Sequence, residues 1–221
     1  MINTMEVLER HLNETKTKKD YRQVLWMYDF WGCLTESKAA KIVLNLANLK
    51  DGSEILEVAC GTGEMLKKIL EQNPNGKNVG VDLSPDMLRK ANKKLNKQSN
   101  KNFELHEGNV LQLNFSDNSF DLLINNYMVD LMPSEYFDKI ANEFFRVLKP
   151  NGNVVISTFS FGTKNIHKFW YWLAKRFPKL LTGCRPVQFK QFLINAGFKI
   201  ENDIEISQNT FPSQIIKAKK I

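Results

Sequence analysis

The chain has 221 residues, 43% hydrophobic and 25% charged, as is typical of one soluble globular domain. Its net charge of +7 fits an anionic partner but equally a solvated lysine-rich surface. The cysteines, Cys33, Cys60 and Cys184, have neither metal-binding nor redox spacing, so we expect reduced thiols, no metal site and a cytoplasmic location. We see no secretory signal core and no apolar run of roughly 18 residues, so we expect no membrane-spanning helix.

The first third of the sequence predicts helices. Met5, Leu8 and Leu12 indicate a short helix within 3–14. An aromatic segment, 21–31, follows a polar break and closes on Gly32. Residues 36–49 then predict a helix that ends before the Asp51-Gly52 pair and packs against the first strand.

From residue 54 onward, strand and helix patterns alternate. Strands are predicted at 55–58, 79–81, 102–106, 120–125 and 153–159, and helices at 64–72, 84–95 and 135–148, with a turn at 149–152. A helix at 186–196 and two strands, 198–206 and 211–218, joined by the loop 207–210, complete the chain. The pattern predicts an α/β, Rossmann-like doubly wound sheet of seven strands, one of them antiparallel.

We interpret the chain as a single domain. Residues 1–35 would form an N-terminal helical or lid segment, and 36–160 a cofactor-binding core. Residues 161–197 would insert a substrate lid after the fifth strand, and 198–221 a terminal hairpin.

The glycine turn after the first strand indicates a nucleotide-type ligand. A dinucleotide fingerprint requires a third glycine where this chain has Leu66, and a P-loop requires Lys where Glu64 follows Gly63. An acid at the helix start repels phosphate but not ammonium, and Glu57 adds a second carboxylate. Asp82 ends the next strand, where an acid can hold ribose hydroxyls. The site therefore favours a ligand with a ribose and a cationic end, such as S-adenosylmethionine.

The segments LEVACGTG (56–63) and VGVDLSPDML (79–88) resemble motifs I and II of class I S-adenosylmethionine-dependent methyltransferases. GNVLQLNF (108–115), FDLLINNYMVDLM (120–132) and FFRVLKPNGNVVIS (144–157) resemble the later motifs, so the resemblance covers residues 36–160. Within the superfamily the chain is most similar to the ubiquinone/menaquinone-biosynthesis C-methyltransferase-like group (type 11/25-like). Methyl transfer to a small, lipophilic, quinone-like or lipid acceptor is thereby implied.

The resemblance also implies roles for individual residues. Glu57 and the backbone of Ala59, Gly61 and Gly63 would surround the methionine part, and Asp82 would hold the ribose. The remaining implied contacts are Leu83 and Met87 along the adenine, Asn109 and Val110 at its edge, and the carbonyl of Asn125 on the amino group. Ala59 replaces a frequent glycine, and Asn109 a frequent Asp whose charge is thereby lost.

Methyl transfer from a sulfonium requires orientation and exclusion of water, and a general base only when the acceptor must lose a proton. Weak candidates for that base are Tyr28, Tyr127, Asp130 and His167, and we favour a packing or surface role for each of them.

Two other functions remain open. The basic charge suggests a nucleic-acid methyltransferase, but the stretch 125–128 lacks the prolines of the Asn-Pro-Pro-Tyr signature, so we expect no nucleic-acid partner. A non-catalytic S-adenosylmethionine-binding protein is the other alternative. The oligomeric state, monomer or homodimer, stays open as well.

Residues 164–185 are basic and aromatic. They contain six Lys or Arg and no acid, with Ile166, Phe169, Trp170, Leu173 and Phe177 at helical spacing. We expect a lid over the acceptor entrance that either touches an anionic membrane surface peripherally or is an ordinary amphipathic helix.

Overall fold

The computed structural model describes residue 8 and residues 37–181 and 183–221. Apart from Leu8, the predicted helix within 3–14 lies outside the described residues, as do the aromatic segment 21–31 with Tyr28 and Cys33. Six α-helices are described: α1 Ser37–Ala47, α2 Glu64–Gln72, α3 Pro85–Leu95, α4 Phe137–Val147, α5 His167–Arg176 and α6 Lys190–Asn195. Short 3₁₀ turns lie at Val129–Leu131, Ser134–Tyr136 and Pro178–Leu181. None of the helices in these described ranges has the length and apolar character needed to cross a membrane.

Seven strands form one sheet in the order β3-β2-β1-β4-β5-β7-β6. Their bounds are β1 Glu54–Val58, β2 Lys77–Asp82, β3 Phe103–Glu107, β4 Phe120–Asn126, β5 Leu148–Phe159, β6 Phe198–Gln208 and β7 Phe211–Lys220. Strands β1 to β5 pair in parallel, whereas β7 is antiparallel to both β5 and β6. The predicted seven-stranded α/β sheet with one antiparallel strand is confirmed.

Helices cover both faces of the sheet because the central strands are apolar on both sides. On one face Leu56, Leu123 and Ile156 pack with side chains of α4 and α6. On the other face Ile55 and Ile124 pack with side chains of α1, α2 and α5. The polar ends of these strands therefore meet at one edge, beyond the carboxyl ends of β1, β2, β4 and β5.

The local sequence explains how α2 packs and how α3 begins. Four apolar side chains at helical spacing form the buried side of α2: Met65, Leu66, Ile69 and Leu70. Ser84 caps α3 by accepting a hydrogen bond from the Met87 N–H, with Pro85 at the first helical position.

Two boundaries differ from the sequence prediction. The turn predicted at 149–152 lies inside β5, because Phe120 pairs with Leu148 and Leu122 with Asn153, so the intervening residues bulge from the ladder. The helix predicted from 186 begins only at 190. The N–H of Val187 donates to the carbonyl of Phe159, which keeps this stretch non-helical beside the end of β5.

The terminal hairpin is longer than predicted. Gln208 pairs with Phe211, so the loop is only Asn209-Thr210, and both residues have positive φ, 48° and 68°. These values suit the type I′ turn that joins antiparallel strands most tightly.

Lys220 closes the sheet at the end of β7. Its side chain is only 8% exposed, and its ammonium donates to Asn118 Oδ1 and to the carbonyls of Phe145 and Leu148. The Nζ also lies 4.4 Å from the centre of the Phe145 ring. One side chain thus links the hairpin to the end of α4 and the start of β5.

We predict that Lys220→Met lowers the free energy of unfolding by about 1–3 kcal/mol, because buried acceptors lose their donor. Urea unfolding measures this. Lys219→Met, on the alternate side of the same strand, is the control and should change stability less. Equal effects of the two substitutions would contradict the role given to the Lys220 ammonium.

Candidate active site

The turn after β1 brings a cluster of backbone N–H groups to the edge of the sheet. Cys60 N–H donates to the Val81 carbonyl at 3.0 Å, and Gly63 N–H to the Cys60 carbonyl at 2.9 Å. Ala59 has a φ of 58° and Gly61 a φ of 53°. A side chain at Gly61 would meet no atom within 4 Å, so its glycine is required by the backbone conformation and the space above it is open.

Ala59, which stands where glycine is frequent, has a strained backbone conformation. The sequence suggests that alanine is tolerated here because its methyl group is small. Its left-handed φ of 58° shows a further cost, about 1–2 kcal/mol for a residue with a Cβ. The surrounding hydrogen bonds hold this residue in the strained conformation.

Asp82 holds the turn in place from the tip of β2. Its Oδ2 accepts the Gly61 N–H at 2.8 Å, and its Oδ1 accepts the Ser84 N–H at 2.9 Å. Burial raises the pKa of Asp82, while these two hydrogen bonds favour its charged form and oppose the shift. Each carboxylate oxygen retains a lone pair for a hydroxyl donor.

Glu57 lies beside this turn near the end of β1 and is 3% exposed. Burial, followed by the negative charge of Asp82, raises the pKa of Glu57 well above its ordinary value, although the Leu66 N–H donates to the carboxylate. Its Oε2 has no hydrogen-bond partner among the described residues. A cationic ligand would relieve both the desolvation and the repulsion from Asp82.

The residues predicted to contact adenine follow β2 and β3. Leu83 is half-buried, while Met87 and Val110 are buried, and Val110 packs in the core with β1 and β2. Asn109 Oδ1 accepts the Leu111 N–H at 2.9 Å, and the Gly108 N–H donates to the Asp82 carbonyl at 3.1 Å. The amide oxygen assigned to adenine therefore already stabilises its own turn.

Asn125 lies at the end of β4, with no exposed surface. Its Nδ2 donates to the Val58 carbonyl at 2.8 Å, while its Oδ1 has no partner within the described part of the chain. The side chain thus joins the tips of β1 and β4, next to the glycine turn.

Tyr127 occupies a structural position. Its φ is 50°, and its hydroxyl shares a hydrogen bond of 2.7 Å with Ser213 Oγ of β7. The ring is 3% exposed and contacts Phe211. Its phenol is therefore already engaged within the sheet.

Asp130, also without exposed surface, connects the tips of β4 and β5. Its Oδ2 accepts the Phe159 N–H at 3.4 Å, and Oδ1 has no partner among the described residues. Arg185 Nη1 donates to the Asp130 carbonyl at 3.0 Å, and Arg185 Nε to the carbonyl of Leu8. Burial raises the pKa of Asp130 from 3.8 to about 7. Hydrogen bonds from its own N–H, the Phe159 N–H and the Cys184 thiol, together with the charge of Arg185, oppose this shift.

His167 begins α5 and is 4% exposed. Its Nδ1 accepts the Lys164 N–H at 3.2 Å, and its Nε2 has no partner among the described residues. Burial lowers the pKa of His167. Gly162 allows the ring to approach, because a Cβ there would lie 1.9 Å from His167 Nδ1.

Two residues near the site were missed by the sequence interpretation. Arg185 is 3% exposed and secures the segment after α5, but an arginine before Pro186 gives no signal of burial. Thr158 is 1% exposed, and its hydroxyl has no partner in the described ranges. The unpartnered atoms of Glu57, Asn125, Asp130 and Thr158 all belong to the ends of β1, β4 and β5 or the turn after β4, as expected where a ligand supplies the missing bonds.

Comparison with models of known protein families shows which family this chain belongs to. Residues 49–208 match the family model described as a methyltransferase domain, which is more than half of the chain. The chain belongs to this methyltransferase family. The predicted resemblance to class I S-adenosylmethionine-dependent methyltransferases is confirmed.

Similar proteins include a demethylmenaquinone methyltransferase of Lactococcus lactis, 32% identical over 71% of this chain and 64% of the relative. This methyltransferase thus spans less than two thirds of that relative's length. A S-adenosylmethionine-dependent methyltransferase from Aquifex aeolicus has a TM-score of 0.64 at 21% identity, over 96% of this chain and 100% of that one.

A geranyl diphosphate C-methyltransferase from Streptomyces coelicolor, solved with S-adenosylhomocysteine, has a TM-score of 0.67 at 11% identity, over 84% of this chain and 78% of that one. Structural similarity at such low sequence identities establishes only the fold of this methyltransferase.

We predict that Asp82→Ala weakens binding of S-adenosylmethionine by about 1–3 kcal/mol, because an ionised hydrogen-bond acceptor is lost. Calorimetric titration measures the affinity. Ser84→Ala is the matched control: it removes the cap of α3 but keeps the backbone N–H that Asp82 binds, and should leave affinity nearly unchanged. Unchanged affinity in a folded Asp82→Ala protein would refute the ribose assignment.

Asp130→Asn should change how stability depends on pH. The pKa of Asp130 is raised from 3.8 to about 7 in the folded protein, so ionisation of this carboxyl favours the unfolded state. The resulting loss of stability is absent below pH 4, grows as the pH rises to 7 and is complete above pH 7. The variant lacks this penalty, so its stability relative to the unmodified protein should rise between pH 4 and 8, by on the order of a few kcal/mol.

Urea unfolding across that pH range measures the difference. The same substitution at the exposed Asp138 is the control for the chemical change itself. A variant whose stability relative to the unmodified protein falls between pH 4 and pH 8 would contradict the raised pKa, because the ionised carboxylate would then be stabilising.

Proposed function

We propose that this protein transfers a methyl group from S-adenosylmethionine to a small, lipophilic, quinone-like acceptor. Support for the donor comes from the family and from the paired carboxylates at the glycine turn. Support for the acceptor comes from the relatives named for demethylmenaquinone. The observation that carries the proposal is the buried carboxylate of Glu57, whose Oε2 has no hydrogen-bond partner among the described residues, beside Asp82 and the Gly61 turn.

The residues present suit this donor. Asp82 can accept from both ribose hydroxyls while it keeps its two backbone bonds, and Glu57 can accept from the ammonium of the methionine part. The open space above Gly61 admits a ligand close to the backbone. Leu83 is half-buried and offers apolar surface for adenine, whereas Met87 and Val110 are buried.

S-adenosylmethionine supplies an electrophilic methyl group on a sulfonium. The protein's own part is to orient the acceptor in line with that methyl and to exclude water. The segment from β5 through α5 to Arg185 suits this part, because Arg185 ties it to the turn after β4. We therefore keep the proposal that residues 36–160 form the cofactor-binding core and that residues 161–197 form the substrate lid.

If the acceptor is a ring carbon, a proton must leave that carbon after the methyl is added. Among the candidates Asp130 suits this step best. Burial places its pKa at about 7, near the pH at which a general base is most effective. Tyr127 is bound to Ser213, and His167 to the N–H of Lys164. Tyr28 lies outside the described residues.

Methyl transfer can be tested directly with S-adenosylmethionine labelled in its methyl group. Demethylated naphthoquinols kept reduced without oxygen, simple phenols, phospholipids and bulk RNA should be offered in parallel, with products identified by mass. We expect label in the quinol, bonded to carbon, because its electron-rich ring is the nucleophile. Asp82→Ala should lower the rate at limiting donor concentration, and Ser84→Ala should not.

Label in RNA alone would support the nucleic-acid alternative and overturn the proposed acceptor. Tight donor binding without labelled product from any acceptor would favour a non-catalytic binding protein.

A further inference from the structure

Helix α5 carries large apolar side chains on the side that faces away from the protein. Phe169 is 50% exposed and Trp172 51%, and the flanking Ile166 and Phe177 are 49% and 42% exposed. Only two other large hydrophobic side chains in the described ranges are comparably exposed, Ile194 and Ile221. We call the exposed side chains of Ile166, Phe169, Trp172 and Phe177 the aromatic face. Contiguous exposed apolar side chains of this kind mark an interaction surface.

Packing of α5 on the core does not explain the aromatic face. The inward side of the helix consists of His167, Trp170 and Ala174. Trp170 packs edge-on against Phe211 at 5.2 Å and donates its Nε1–H to Thr210 Oγ1 at 3.1 Å. The helix is thus anchored through one apolar side, whereas a helix that packs on a core normally presents a polar side to solvent.

The exposed rings form a continuous strip. Phe169 and Trp172, three residues apart, stack with centroids 6.0 Å apart, and Trp172 meets Phe177 edge-on at 5.8 Å. The guanidinium of Arg176 lies 5.2 Å from the centre of the Phe177 ring. Since the rings cover one another, they are less available to stack with separate nucleobases.

Positive charge surrounds this strip. Lys164, Lys168, Lys175 and Arg176 are exposed, and the sequence contains no acidic residue from 144 to 200. Within the described ranges no carboxylate forms a salt bridge with these four side chains. A second copy of this face would be repelled by the same charges, whereas an anionic lipid surface would attract them.

We propose that the aromatic face and its flanking cations dock on the surface of an anionic lipid bilayer. Phe169, Trp172 and Phe177 would enter the boundary between headgroups and acyl chains, and the lysines would extend to the lipid phosphates. The same helix follows β5 and leads to Arg185 at the candidate active site. Docking would therefore place the acceptor entrance against the bilayer, a consequence that rests on the proposed lipophilic acceptor.

The test is co-sedimentation of the full chain with vesicles of phosphatidylcholine alone or with added phosphatidylglycerol. We expect binding to the anionic vesicles, weakened by salt, and little to the neutral ones. The double variant Phe169→Ser/Trp172→Ser, exposed and therefore compatible with folding, should lower the partition coefficient by about tenfold or more. Ile194→Ser, at another exposed apolar position, is the control and should bind as the unmodified protein does.

Equal recovery with both vesicle types, or unchanged binding of the double variant, would overturn the proposal. So would a double variant that keeps vesicle binding but loses affinity for RNA or loses self-association, since the aromatic face would then serve one of those partners. Quenching of tryptophan fluorescence by brominated lipids, lost in Trp172→Phe, is the expected supporting signal.

A water-soluble naphthoquinol without a prenyl chain separates this proposal from the proposed function. Its methylation by the unmodified protein, assayed without vesicles, tests the proposed function independently of vesicle binding. No methylation of any acceptor, together with intact vesicle binding, would overturn the function and leave the docking surface supported.

Discussion

The carboxylate of Asp82 is the interaction on which the candidate site depends. It receives the Gly61 N–H from the turn after β1 and the Ser84 N–H from the start of α3. One side chain thereby fixes two helix entrances and the tip of β2 relative to one another. Its position follows from the parallel pairing of β1 with β2, which sets Val58 beside Val81 and leaves Asp82 just past the end of β1.

This arrangement brings a second carboxylate, Glu57, into the same low-dielectric region. Burial and the charge of Asp82 raise its pKa, so the folded protein without a cation stores unfavourable electrostatic free energy at this edge. Ala59, held at a positive φ, adds backbone strain beside it. The proposed ligand, which brings positive charge and hydroxyl donors, would offset both the backbone strain and the repulsion between the carboxylates.

Much of this could be predicted from sequence because the signals are local. The glycine turn, the Ser84 cap and the apolar runs each lie within a few residues of the structure they specify. The bulge in β5, the late start of α6 and the buried roles of Lys220 and Arg185 depend instead on partners far along the chain. Helical spacing also grouped Trp170 with Phe169, whereas the structure separates them, with Trp170 packed on Phe211 and Phe169 exposed.

The most direct test of the account is a crystal structure of the protein with S-adenosylhomocysteine. We expect the Asp82 carboxylate within hydrogen-bond distance of both ribose hydroxyls, with its bonds to the Gly61 and Ser84 N–H groups intact, and the Glu57 carboxylate near the ammonium. A ribose bound elsewhere, or an Asp82 side chain that remains bonded only to the backbone, would contradict it.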